Sequence, residues 1–125
     1  LADAADKNIA KADELSPMNS EIYILKKMSH SVRMMANPMQ RFRTEGAAAQ
    51  EALAFAKKLN PENPRAVLLE AEDTDLTPEQ FGGSKAKGLE LFQKALDMFK
   101  TFKPKTALDP NWGKQEAEHF LSQAK

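Results

Sequence analysis

The sequence has no cysteine and only two histidines in 125 residues. The absence of cysteine excludes disulfides, thiol catalysis and cysteine-ligated metal sites. His30 and His119 form neither an H-x3-H nor an HExxH spacing, so we predict no metal site and expect both histidines to be without function. The acidic run at 70–79 lacks the spacing, the glycine and the terminal glutamate of an EF-hand loop. No nucleophile, base and orienting group fall at a recognisable spacing, so we predict no catalytic residue and no enzyme.

An excess of charge of one sign is also lacking. Lys plus Arg and Asp plus Glu both number 18, which gives a net charge of zero. There is therefore no general electrostatic reason to expect nucleic acid or an anionic membrane as a partner. No apolar run approaches the roughly 20 residues that a membrane-spanning helix needs, so we expect no membrane span. The chain begins at Leu1 without a signal-like segment, and we expect it to be a fragment or a processed product.

Apolar residues recur at helical spacing through almost the whole chain, and no segment alternates as a strand does. The fold class predicted is therefore all-α, and the length fits a single domain over 1–125. The predicted helices span about 1–15, 20–37, 38–59, 64–72, 84–102 and 113–124. Asn19 or Ser20 is expected to cap the second helix. The apolar residues that this helix is expected to bury are Ile24, Leu25, Met28, Val32 and Met35.

A spacing of small, large and small residues recurs along the chain. The pattern A-x3-I-x2-A-x4-P at 5–17 matches A-x3-L-x2-A-x4-P at 49–61, and G-x3-F-x2-A at 88–95 repeats its first part. A small residue lets two helix backbones approach, and the large residue fills the groove beside it. The alanines expected at close helix crossings are Ala5, Ala12, Ala49, Ala56 and Ala95.

This spacing resembles the second helix of a tetratricopeptide repeat (TPR), and Tyr23 stands where that family has an aromatic residue in the first helix. The resemblance implies a right-handed solenoid of about six helices in antiparallel pairs, with irregular repeats. The strings "LNPENPRA", "TPEQFGGSK", "FKPK" and "PNWG" also resemble uncharacterised TPR-like proteins of bacterial cell envelopes, in which a further glycine is expected at the position of Ser84. That resemblance implies a periplasmic or cell-envelope location, and a signal peptide and a further repeat helix upstream.

TPR arrays bind extended peptides or helices in a concave groove. The resemblance therefore implies a non-enzymatic protein–protein interaction module whose partner is a protein or peptide and which needs no cofactor. Lysine and asparagine, which clamp a C-terminal carboxylate in one type of TPR groove, are absent from the matching positions, so an apolar groove is expected. The residues expected to line it are Ile24, Met28, Ser31, Arg65, Leu68 and Glu72.

The turn "GGSK" at 82–85 supports an alternative hypothesis. It is not a P-loop, because the first glycine is absent, the order of lysine and serine is reversed, and no strand precedes it. Ser84 is expected to cap the next helix, after glycines that allow positive φ. The start of a helix also attracts anions. The alternative hypothesis is therefore a small-molecule or anion-binding protein that uses Gly83, Ser84 and Lys85. A purely structural part of a longer chain is the third hypothesis.

The single tryptophan, Trp112, precedes the last predicted helix. We expect it to anchor that helix by packing near Phe99 or Phe102.

Overall fold

A computed structural model describes residues 2–124 of the chain. The helices are α1 (Ala2–Leu15), α2 (Ser20–Ala36), α3 (Pro38–Arg41), α4 (Ala47–Leu59), α5 (Pro64–Leu76), α6 (Lys85–Thr101) and α7 (Lys114–Gln123). A π-helical segment, Phe42–Gly46, joins α3 to α4, and a 3₁₀ turn, Glu79–Phe81, lies between α5 and α6. Residues 2–124 contain no strand, so the predicted all-α class is confirmed. The TPR-like solenoid stays a prediction.

Side-chain caps fix several helix starts. The side chain of Asn19 accepts a hydrogen bond from the Glu21 amide, and that of Ser84 accepts one from the Lys87 amide. Both residues therefore cap as the sequence predicts, and Gly82, with φ of 96°, takes the left-handed conformation expected before the turn into α6. The predicted end of α5 near Glu72 is wrong, because that helix continues to Leu76.

Contacts divide the chain into two compact units, one ending at Pro61 and one beginning at Glu62. In the first unit α2 packs against α1 and α4. The Ser20 hydroxyl donates a hydrogen bond of 2.8 Å to the carbonyl of Ala56, which ties the start of α2 to the end of α4. The buried apolar residues of this unit are Ile9, Ile22, Ile24, Ala49, Ala52, Leu53 and Ala56.

The apolar stripe of α2 points outward, which corrects the prediction that it is buried. Only Ile24 of the predicted set is buried, whereas Leu25, Met28, Val32 and Met35 are exposed. Polar residues of α2 are buried in their place: Ser20, Lys27 and Ser29. Ser20 and Ser29 donate hydrogen bonds to Ala56 on α4 and Asp6 on α1, and Lys27 donates one to Ser31 on α2 itself. A buried polar group that has a partner avoids most of its desolvation cost.

The second unit is built on the packing of α5 against α6, with α7 against α6. The rings of Phe92 and Phe120 stack with their centroids 4.4 Å apart. Trp112 packs against the core cluster that includes Phe99, as expected from the sequence. The buried members of that cluster are Val67, Leu68, Ala71, Phe92, Ala95, Phe99 and Ala117.

The small residues of the repeated pattern differ in burial. Ala49, Ala56 and Ala95 are buried, which agrees with the prediction of close helix crossings. Ala12 is only half-buried and Ala5 is exposed, so the prediction is wrong for Ala5. α1 buries a single residue, Ile9. A helix with so little buried surface does not need a small residue at a close crossing.

Candidate functional site

One face of α2 carries Tyr23, Lys26 and His30, which lie three and four residues apart and so point in a common direction. Two cavities flank this row. The α2–α4 cleft has a volume of about 560 Å³ and is also lined by residues of α4. The α1–α2 cleft has a volume of about 640 Å³ and is also lined by residues of α1. Both volumes fall within the range of about 300–1,000 Å³ that is usual for small-molecule sites.

The α2–α4 cleft has an apolar floor. Tyr23 and Phe55 meet edge to face, with ring centroids 4.6 Å apart and an interplanar angle of 64°. The remaining apolar lining consists only of small side chains, which leave room for a flat ligand to approach the helix: Ala48, Ala52 and Ala54. This surface suits a planar apolar molecule, because aromatic rings and flat faces pack well against one another.

The charged groups of this cleft include two lysines that an anion could contact. Lys26 and Lys58 line it, against one carboxylate, Glu51. Lys26 donates a hydrogen bond of 2.8 Å to Asp13, and its Nζ lies 4.2 Å from the centroid of the Tyr23 ring. Burial acts to lower the pKa of Lys26, but the hydrogen bond to Asp13 and the charge of that carboxylate, helped by Tyr23, outweigh it and raise that pKa. Lys26 is therefore a cation at neutral pH.

His30 lies at the point where the two clefts meet, and it lines both. Its Nδ1 is 2.6 Å from Oε2 of Glu45. Glu45 belongs to the π-helical segment. The wider turn of that segment carries the carboxylate to the ring on α2.

The α1–α2 cleft is acidic in contrast. Asp6, Asp13 and Glu14 line it, with Lys26 as the lysine in its lining. Asp6 accepts hydrogen bonds from the hydroxyl of Ser29 at 2.5 Å and from the Arg33 guanidinium at 2.5 and 3.1 Å. The Ser29 hydrogen bond, helped by Arg33 and opposed by burial, lowers the pKa of Asp6. Three carboxylates make this cleft the poorer place for an anionic ligand.

The residues predicted to line a peptide groove are divided between the two units. Ile24 and Met28 lie in the first unit, where Ile24 is fully buried and Met28 is 38% exposed. Ser31, also in the first unit, accepts a hydrogen bond from Lys27 at 3.0 Å. Arg65 and Leu68 lie in the second unit and are fully buried, while Glu72 there is half-buried. Ile24, Arg65 and Leu68 thus offer no surface to a ligand, and the groove stays a prediction.

The Gly82–Lys85 turn is ordered by hydrogen bonds of its own. The Gly83 amide donates to the Pro78 carbonyl at 3.1 Å and the Ser84 amide to the Thr74 carbonyl at 2.9 Å. Lys85 forms an ion pair of 3.2 Å with Asp75, which belongs to the acidic run before the turn. These contacts occupy two of the amides that an anion would need. Binding of an anion at Gly83, Ser84 and Lys85 stays a prediction.

Sequence reasoning missed the row on α2 as a site. The signal was visible, because a tyrosine, a lysine and a histidine at helical spacing form one face. The cleft itself depends on Phe55 and Glu45, which lie far along the chain from this row. Across residues 2–124 no helix is long and apolar enough to cross a membrane, and no group of three or more histidine or carboxylate side chains is arranged to hold a metal ion.

Comparison with known proteins gives one informative similarity. No family model matches the chain, and no curated protein matches it. Among solved structures the chain is similar to the HusA haemophore from Porphyromonas gingivalis, at 37% sequence identity and a TM-score of 0.86. The similarity covers 98% of this chain but 61% of that one, so the chain spans about three-fifths of the haemophore's length.

Proposed function

We propose that this chain binds a haem-type tetrapyrrole as a non-enzymatic carrier, and that the α2–α4 cleft is the binding site. The observation that carries the proposal is the similarity to a haemophore at 37% identity over 98% of the chain. It favours the small-molecule alternative over the peptide-binding module, although the proposed site is the α2–α4 cleft and not the Gly82–Lys85 turn. Haem in this role is the cargo of the protein and not a cofactor.

The chemistry of haem matches the chemistry of the α2–α4 cleft. Haem is a flat, largely apolar ring with two propionates at one edge. The ring needs an apolar wall without bulky side chains, which the alanines of α4 and the rings of Tyr23 and Phe55 supply. The propionates need cations, and Lys26 and Lys58 line the same cleft. Hydrogen bonds to charged groups of this kind contribute about 1.5–3 kcal/mol when shielded and less when exposed.

The location and partners follow from the same proposal. A carrier of this kind works at the cell envelope or outside it, in line with the location implied by the TPR-like resemblance. Neither a nucleic-acid partner nor catalysis is required, because the cargo is bound and released unchanged. A protein partner would then be a receptor for the loaded carrier. The exposed apolar stripe of α2 is a surface that such a partner could contact.

A haem titration tests the proposal. Ferric haem is added to the purified chain and the Soret absorbance is followed to saturation. Ala48→Phe places a large ring in the α2–α4 cleft and should weaken binding at least 10-fold. Ala47→Phe is the matched control, because Ala47 is the neighbouring residue on α4, is exposed and does not line the cleft. Lys58→Ala should weaken binding about 3- to 10-fold, since it removes one exposed charge-assisted contact.

Two results would contradict the proposal. Absence of saturable haem binding would reject the carrier function. Saturable binding that is equally strong in Ala48→Phe and Ala47→Phe would keep the function and move the site elsewhere. A peptide library screened on the same protein addresses the rival hypothesis: a peptide that binds with haem already saturating would show a separate protein-binding surface.

A further inference from the structure

We infer that His30 coordinates the iron of the tetrapyrrole bound in the α2–α4 cleft, and that Glu45 is its positioning residue. This inference rests on the proposed function and deepens it, because it separates recognition of the metal from recognition of the ring. Histidine is among the protein ligands that hold haem iron. Since the macrocycle supplies four nitrogens, a single protein ligand is enough.

The position of His30 fits this role. The residue lines the cleft, and its side chain is 37% exposed, so an iron atom can reach the ring. Nδ1 lies 2.6 Å from Glu45 Oε2. An ionised carboxylate only accepts hydrogen bonds, so in the neutral ring the proton is on Nδ1. Nε2 then keeps its lone pair, and it is the nitrogen left for a metal. Metal-binding histidines usually donate their second ring nitrogen to a carboxylate or carbonyl in this way.

The backbone that carries Glu45 gives an independent reason. Glu45 lies in the π-helical segment Phe42–Gly46, which interrupts the helical stretch between Pro38 and Leu59. π-Helical turns are rare and frequently occur at functional sites. Here the π-helical turn has a specific outcome, the contact between a carboxylate on that segment and the ring on α2. A regular helix through the same residues would give Glu45 a different direction.

The other candidate ligands fit less well. Lys26 carries a proton, since its pKa is raised, and a protonated amine has no lone pair for a metal. Tyr23 would bind iron through its hydroxyl oxygen only after losing the proton, and its ring is already held by Lys26 on one face and by Phe55 edge to face. His119 is exposed on α7 in the second unit. His30 is the residue of the cleft that has both a carboxylate behind it and a free nitrogen.

The experiment compares a metal-containing and a metal-free ligand. Ferric haem and protoporphyrin without metal are titrated into the wild-type chain, His30→Ala, Glu45→Gln and the control His119→Ala. We expect His30→Ala to lose at least 10-fold in affinity for haem and to keep its affinity for protoporphyrin. Glu45→Gln should lose up to about 10-fold for haem only, because loss of an outer partner typically costs about 10- to 100-fold in metal affinity. His119→Ala should match the wild type with both ligands.

Absorption spectra give a second readout that does not rest on affinity alone. Wild-type ferric haem should show the absorption spectrum of a histidine-ligated iron. His30→Ala should lose this spectrum and regain it when free imidazole is added. Far-UV circular dichroism confirms that each variant is folded.

The failures are distinguishable. If the wild type binds haem and protoporphyrin equally, and the haem spectrum is the same in His30→Ala, then His30 is not the ligand and the cleft recognises the ring alone. If the wild type binds neither molecule, the proposed function itself is rejected. If His30→Ala does not fold, the wild-type spectrum and the Glu45→Gln titration still decide, because a spectrum without histidine ligation overturns the inference.

Discussion

Substitution of Gly88 by alanine tests how closely α5 and α6 approach. Gly88 is buried on α6 and is the small residue of the third repeat of the spacing pattern. A Cβ atom at this position would lie 2.9 Å from Cβ of Asp75, 3.2 Å from its Cα and 3.3 Å from its amide nitrogen. Contacts below 3 Å are almost never seen, so the two helices must separate or shift when the methyl group is added.

Two effects of opposite sign decide the outcome. Alanine is favoured over glycine within a helix by about 1 kcal/mol, which would stabilise the variant. Overpacking costs about 1–3 kcal/mol, and here two of the three close atoms belong to the α5 backbone, which cannot rotate away as a side chain can. The cost therefore lies in the upper part of that range. We expect Gly88→Ala to lower the free energy of unfolding by about 1–2 kcal/mol in total.

Urea denaturation followed by far-UV circular dichroism measures this change. Lys94→Ala and Lys94→Gly are the matched controls, because Lys94 is exposed on the same helix and the pair reports helix propensity without packing. The reasoning is refuted if Gly88→Ala is as stable as the wild type or more stable by the amount that separates the two controls. The helices would then be farther apart than described, and the spacing pattern would have no packing meaning at this crossing.

Three further predictions concern packing, pH and fluorescence. Ala56 is fully buried and Ala56→Leu should destabilise by about 1–3 kcal/mol through overpacking; an unchanged urea midpoint would contradict this. The Ser29 hydrogen bond lowers the pKa of Asp6 in the folded chain below its usual 3.8, so the unfolded chain takes up the proton first as the pH falls. The stability given by Asp6 is therefore present above about pH 4 and is lost as the pH falls through the folded pKa. Asp6→Asn should therefore be less stable at neutral pH and show a flatter acid-unfolding curve; parallel curves would exclude this role. Trp112 should emit at shorter wavelength than free tryptophan and resist quenching by iodide, and ready quenching would show that it does not anchor α7.

The sequence predicts the helices well where their signals are local. The caps at Asn19 and Ser84 depend on a side chain and an amide two or three residues away, so they can be recognised from the chain alone. The π-helical segment has no such local signal in the sequence, since Gly46 indicates only a position where a helix is less stable. The extension of α5 beyond Glu72 was also not predicted, because acidic residues disfavour the C-terminal end of a helix. Hydroxyl groups close to this end counteract that effect: the side chain of Thr77 donates to the carbonyl of Asp73 at 2.6 Å.

The candidate site was harder to predict, because its contacts join residues far apart in the chain. Apolar periodicity placed five apolar residues of α2 in the core; this was right for Ile24 and wrong for Leu25, Met28, Val32 and Met35. The polar side of α2 is buried because Ser29 meets Asp6, a residue 23 positions away, whose place no local pattern reveals. His30 was expected to have no function because no second histidine lies at a metal-binding spacing from it. Its relation to Glu45 depends on the π-helical segment and could not be predicted from spacing.

The way α1 is attached has a consequence for hydrogen exchange. Its attachment to α2 rests mainly on charged groups: Arg33 pairs with Asp3 and Asp6, and Lys26 pairs with Asp13, while Ile9 is its one buried residue. Added salt screens the exposed Arg33–Asp3 pair most and the partly buried pairs less, and it leaves apolar burial largely intact. The amide protons of α1 should therefore exchange with deuterium sooner than those of α6, whose buried Phe92 and Phe99 hold it to its unit. Raising the salt concentration should speed exchange in α1 and leave the protection of α6 nearly unchanged.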